Sequence, residues 1–157
     1  MSDAGGPYLL DVGVIALAHT EAPVRDAAFA YVRDAVTGDI DAVVPYPALF
    51  SAHAVLTTYY GRSNAEASQL MDSFIDASRI HWYDRIPSDA VRGGFARAAE
   101  TNFGGWESYY AQVAVDEGVS TVVTIDDDFG RFDAFATDVI LTSEEFERLN
   151  RYLGGDT

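Results

Sequence analysis

Five short apolar runs punctuate the chain, and between them apolar side chains recur at helical spacing. The runs are Tyr8-Leu9-Leu10-Asp11-Val12, Asp41 to Val44, Arg79-Ile80-His81-Trp82-Tyr83, Val119-Ser120-Thr121-Val122-Val123 and Asp138-Val139-Ile140-Leu141. Runs of roughly four to eight such residues, bounded by turn residues, read as strands. The first run continues apolar past Gly13 through Val14-Ile15-Ala16-Leu17-Ala18. Helices are predicted from Pro23 to Val36, with Val24, Ala28, Tyr31, Val32 and Ala35 at helical spacing and Gly38 as a stop, and from Pro47 to Gly61 on Leu49, Ala52, His53, Leu56 and Tyr60. Ser63 with Glu66, and Thr142 with Glu145, have capping-box spacing, so further helices start there and run to about Ala77 and through Phe146, Leu149 and Leu153. A helix on Val91, Phe95, Ala98 and Ala99 follows Pro87-Ser88-Asp89 and stops before Asn102. The next runs from Trp106 to Glu117, with Trp106, Tyr110, Val113 and Ala114 inward and Gly118 at its end.

Strands that alternate with helices imply an α/β fold: a parallel sheet of about five strands, covered on both faces in three α/β/α layers. At 157 residues, with no repeat and no internal linker, residues 1–157 are expected to form a single domain with loose ends through Gly6 and from Gly154.

Composition narrows the chemistry. The absence of cysteine removes disulfides, thiolate metal sites and a cysteine nucleophile. All ten basic residues are arginine, which removes a P-loop lysine, a Schiff-base lysine and the lysine of many phosphoryl-transfer sites. The net charge of −15 opposes compaction through self-repulsion. At about 1 M salt the screening length falls to roughly 3 Å, so a salt-loving cytoplasm is the expected setting and the acidity says little about partners. Met1 to Gly6 has neither the basic nor the apolar part of a signal peptide, and the most apolar segment, Val43 to Tyr60, is too short and polar to span a bilayer. A cytoplasmic location without membrane contact is expected.

Candidate chemistry gathers at strand ends. Asp11 closes the first run, and Thr124-Ile125-Asp126-Asp127-Asp128-Phe129 follows the fourth. Glu107 opens the helix that leads into that fourth strand. In a parallel sheet all strand ends point one way, so Asp11, Glu107, Asp126 and Asp128 can meet at one rim. Carboxylates packed together repel unless a cation neutralises them, and oxygen-only donors favour Mg²⁺ or Mn²⁺ over Zn²⁺.

With these residues in order, the chain resembles the PIN-domain family of metal-dependent ribonucleases, which includes toxins of prokaryotic toxin–antitoxin pairs. The resemblance spans nearly the whole chain. It runs through Leu9-Leu10-Asp11-Val12-Gly13-Val14-Ile15-Ala16-Leu17, Val55 to Gly61, Glu107 to Ala114, Val123 to Phe129 and Ile140 to Phe146. It implies hydrolysis of RNA phosphodiesters by metal-activated water, with Asp11, Glu107 and Asp126 catalytic and Asp128 joining them as metal ligands. It also implies RNA as substrate, a small antitoxin protein as partner and a homodimer. Two positions depart from the family pattern: Gly13 stands where a polar side chain supports the first aspartate, and Ser51 stands where the second acid belongs. Glu107 replaces the more usual aspartate.

Each residue also has a plainer role open to it. Asp11 and Asp128 can cap helices or turns, and Glu107 suits a helix N-terminus whatever else it does. Asp127 is expected to face solvent. His53 and His81 are expected to be packed or surface residues, Ser51 a helix residue, and Trp82, Trp106, Tyr109 and Tyr110 core residues. Arg62, Arg79, Arg85 and Arg131 are candidate phosphate contacts. A PIN-fold scaffold that has lost catalysis and binds RNA or a protein is the alternative, supported by Gly13 and Ser51. A metal-dependent phosphatase or receiver-like domain is weakened by the missing lysine.

Overall fold

A computed structural model of the protein describes residues 6–154. Of the ends expected to be loose, through Gly6 and from Gly154, residues 1–5 and 155–157 lie outside the described residues. The chain runs β1 (Tyr8–Leu10), α1 (Val12–Ala18), α2 (Asp26–Thr37), β2 (Ala42–Pro45), α3 (Tyr46–Thr58), α4 (Asn64–Phe74), β3 (His81–Tyr83), α5 (Ser88–Thr101), α6 (Gly105–Asp116), β4 (Thr121–Thr124), a 3-10 turn (Asp128–Arg131), β5 (Ala136–Val139) and α7 (Ser143–Tyr152). The five strands pair in the order β3-β2-β1-β4-β5, all parallel, and the helices complete a three-layer α/β/α architecture.

The three central strands carry the core. Leu9, Leu10, Val43, Val44, Val122 and Val123 are almost fully buried, as a strand covered on both faces requires. The flanking β3 and β5 are half exposed. Chain order reverses at β1, which neighbours β2 on one side and β4 on the other. That switch point opens a crevice beyond the carboxyl ends of β1 and β4, the usual ligand position in open α/β sheets.

Four local expectations need correction. The first strand stops at Leu10 rather than running to Val12, and the apolar stretch after it is helix α1. Asp11 ends the strand by accepting the Val12 N–H at 2.8 Å, and its main-chain oxygen accepts from Val14 and Ile15 to start the helix. The second helix begins at Asp26, not near Pro23, because Val24 takes a left-handed φ of 60°, which a helix interior does not accept. β4 starts at Thr121 and β5 spans Ala136–Val139, two residues off the apolar runs in each case.

The fourth correction concerns the α5–α6 hairpin. Phe95 and Trp106, both expected inward, are 66% and 55% exposed. Ala90 and Gly94 form the buried face of α5 instead. A Cβ at Gly94 would sit 3.0 Å from the Tyr109 Cα, so glycine there lets the two helices approach backbone to backbone. Both capping boxes are present, with Ser63 and Thr142 accepting from the Glu66 and Glu145 amides and those carboxylates reaching back. Among the described residues no helix is long and apolar enough to cross a membrane.

Candidate active site

Asp11, Glu107, Asp126 and Asp128 all line one cavity of about 390 Å³ at the switch point. Residues separated by more than a hundred positions thus reach one rim, Asp11 from the end of β1 and Asp126 from just beyond β4. The Asp11 amide donates to the Val123 carbonyl at 2.9 Å, which ties the two strand ends together.

Thr124 is the hinge of the arrangement, and its role was not foreseen. It is fully buried, and its hydroxyl donates to Asp11 Oδ2 at 3.0 Å while accepting the Asp126 amide at 3.4 Å. Asp11 therefore has one oxygen held by the Val12 N–H and the other by Thr124. Asp126 Oδ1 in turn accepts the Asp128 amide at 2.9 Å, fixing the turn that follows β4.

The electrostatics are unfavourable for carboxylates. Burial pushes Asp11 up to about 7 against the downward pull of its two hydrogen bonds, and the charges of Asp126 and Glu107 add to the rise. Asp126 is also raised, first by burial and then by Asp128 and Asp127. Two acids made reluctant to ionise, with no arginine or histidine lining the cavity, constitute an unmet demand for positive charge.

The acids line one wall but do not form a closed ligand set. Among the described residues no three Asp, Glu or His side chains stand close enough together to hold an ion. Glu107 lies in the first turn of α6 and curls back over its start, with Oε1 in the space that a Cβ at Gly104 would need. Asp128 is drawn outward, 3.6 Å from the Arg131 guanidinium. The donor chemistry, oxygen-only and crowded by like charge, is of the kind a hard divalent cation takes.

The departures acquire physical causes. A Cβ at Gly13 would meet Ile125 side-chain carbons at 3.0 Å, so the isoleucine occupies the volume a polar side chain would need. Ser51 is more than a helix residue: its Oγ lies 2.9 Å from the Tyr110 hydroxyl, and both line the acidic cavity. Tyr110 is core by burial, at 2% exposed, yet its hydroxyl end belongs to the site. The spacing of Ser51 from Leu56 was the only sequence signal for this pair.

The remaining candidates fall elsewhere. His53 meets Ser68 Oγ at 3.0 Å in a groove between α3 and α4, and His81 pairs with Glu117 at 2.8 Å. Asp127 is exposed, as expected. None of Arg62, Arg79, Arg85 or Arg131 lines the acidic cavity. Arg79 sits at the opposite edge of the sheet beside Asp41 and His81, and Arg131 lies over the Phe103 ring, donating to the Asp128, Thr101 and Asn102 carbonyls.

No protein-family model matches the sequence, and no curated protein matches it significantly. Solved structures do. Mycobacterium tuberculosis VapC20, a sarcin–ricin loop cleaving toxin, superposes with a TM-score of 0.63 at 12% identity, covering 79% of this chain and 93% of that one. Rickettsia felis VapBC2, bound to a DNA fragment from their promoter, gives 0.62 at 15% identity over 83% and 96%. Neisseria gonorrhoeae FitAcB gives 0.55 at 17% identity over 84% and 96%. The chain has the PIN-domain fold. Within the PIN fold, the acidic cavity takes the switch-point position that the sheet order dictates.

Proposed function

We propose that the chain is a divalent-metal-dependent ribonuclease that hydrolyses RNA phosphodiesters, working as the toxin of a toxin–antitoxin pair. The observation that carries this reading is the pair of half-buried carboxylates, Asp11 and Asp126, sharing one cavity that no cationic side chain lines. Support comes also from the PIN fold and from its likeness to a toxin that cleaves the sarcin–ricin loop. A small antitoxin partner is carried over from the VapBC2 and FitAcB neighbours.

Asp11 and Asp126 would hold Mg²⁺ or Mn²⁺, with Glu107 and Asp128 completing the set. A bound ion supplies a water of lowered pKa and neutralises phosphate charge. The chain's own residues set the frame for that. Thr124 and the Val12 amide orient both oxygens of Asp11, the Asp128 amide orients Asp126, and Phe103 and Trp106 wall the cavity on the side of α6.

The test is cleavage of single-stranded RNA at high salt with and without Mn²⁺, for wild type and Asp126→Asn. Metal-dependent cleavage that the variant loses is the expected result. Full-rate cleavage by the variant would remove Asp126 from the mechanism. A second reading, a PIN scaffold without catalysis, draws on Ser51 in place of an acid and on Glu107 turned onto Gly104. Absence of cleavage by wild type, together with no thermal stabilisation by Mn²⁺, would favour it.

A further inference from the structure

The acidic cavity must accept a phosphodiester if the ribonuclease reading is right, yet its lining supplies no arginine or histidine to meet a phosphate oxygen. It does supply hydroxyls. Ser51 Oγ and the Tyr110 hydroxyl share one hydrogen bond of 2.9 Å, in which either is able to donate. Two hydroxyls carry two protons, and one shared bond uses one of them. Whichever way that bond runs, one O–H remains undirected, and neither group has another hydrogen-bond partner among the described residues.

Tyr110 is 2% exposed, and a buried donor without an acceptor is disfavoured. Its ring stacks on Trp106 at 5.9 Å and an interplanar angle of 21°, which aims the hydroxyl end into the cavity. When Ser51 is the donor of the shared bond the spare proton is the tyrosine's, at a cavity whose acceptors, Asp11 and Glu107, make no hydrogen bond to Tyr110. This is a donor waiting for an oxygen that arrives with a ligand.

We propose that the Ser51–Tyr110 hydroxyl pair is a neutral phosphate-contacting site: Tyr110 donates to a non-bridging oxygen of the RNA phosphodiester, and Ser51 is the positioning residue that holds its hydroxyl in place. The proposal rests on the ribonuclease reading and deepens it. A serine where the family carries an acid then has a use, because it removes one negative charge and supports a donor. In a cavity already crowded with carboxylates, a neutral donor admits phosphate where a further carboxylate repels it.

The test measures binding of a fluorescein-labelled single-stranded RNA oligonucleotide by anisotropy, with Ca²⁺ as a hard cation, alongside Ca²⁺ affinity by calorimetry. Tyr110→Phe keeps the ring and its stack on Trp106. It is expected to raise the RNA Kd about ten-fold, equivalent to ~1.4 kcal/mol, with Ca²⁺ affinity unchanged. Ser51→Ala is expected to raise the Kd by a smaller factor, and Ser51→Thr to restore it, which a purely structural serine would not require. Unchanged RNA binding by Tyr110→Phe, with wild type binding tightly, overturns this inference alone. Loss of Ca²⁺ affinity in that variant overturns it in favour of a role in the ion's shell. Failure of wild type to bind RNA at all overturns both this inference and the reading beneath it.

Discussion

The two ends of the sheet carry similar side chains under opposite electrostatic conditions. At the amino edge, Asp41, Arg79, His81 and Glu117 gather around one shallow pocket, where acids and bases intermix and His81 meets Glu117 at 2.8 Å with its side chain 60% exposed. At the carboxyl edge Arg131 reaches Asp128 alone, no cation lines the cavity beside Asp11 and Asp126, and burial raises both. Mixed, solvated charges contribute little to stability and ask for nothing further. Like charges held in a cavity are a standing electrostatic penalty that a bound cation would remove. The fold strains the acids of the carboxyl edge and neutralises those of the amino edge, which is why the proposed site lies at the first.

Asp126→Asn is expected to reduce Mn²⁺-dependent RNA cleavage by at least about 100-fold, the upper end of what even outer-shell partners of a metal site cost. An equal loss on removing His81 would erase the distinction between the edges.

The next effect is on stability and pH. Asp11 rises from 3.8 to about 7 on folding, so the folded state binds the proton more tightly than the unfolded chain. Stability is then greatest below the unfolded value and falls as pH rises between about 4 and 7. Asp11→Asn, which cannot ionise, is expected to be more stable than wild type by about 2–4 kcal/mol in chelator at pH 8, and the gap should close towards pH 4. Urea denaturation across that range measures it. Adding Mn²⁺ should stabilise wild type and leave the asparagine variant unmoved.

Between these lies a control on the fold rather than the charge. Gly94→Ala would press a methyl against the Tyr109 backbone and is expected to destabilise by about 1–3 kcal/mol despite alanine's better helix propensity. The smallest effect belongs to the amino edge. His81→Ala should change stability by no more than about 0.5 kcal/mol in denaturant titration, because the histidine side chain that meets Glu117 is 60% exposed.

Much of this was legible in the chain. Central strands buried on both faces must be continuously apolar, so the runs at Leu9, Val43 and Val122 announced themselves, and acids at their carboxyl ends followed from parallel geometry. The two capping boxes were readable because their hydrogen bonds are local. The apolar stretch after Asp11 was not, since a short fully buried helix and a strand present the same unbroken apolar pattern. Phe95 and Trp106 misled for a related reason: helical spacing identifies a face, but Gly94 against Tyr109 decides that the closest face is the small one.

What the sequence determined by itself was the alternation of strands and helices, the parallel sheet and the acids at its rim, because each depends on the order and period of side chains along the chain. What only the tertiary structure decided was which groups face those acids. Thr124 beneath Asp11, Ile125 filling the space beside Gly13, Ser51 joined to Tyr110 and Arg131 laid over Phe103 are all contacts across the fold. Such contacts are set by packing between elements distant in sequence, and no local pattern encodes them.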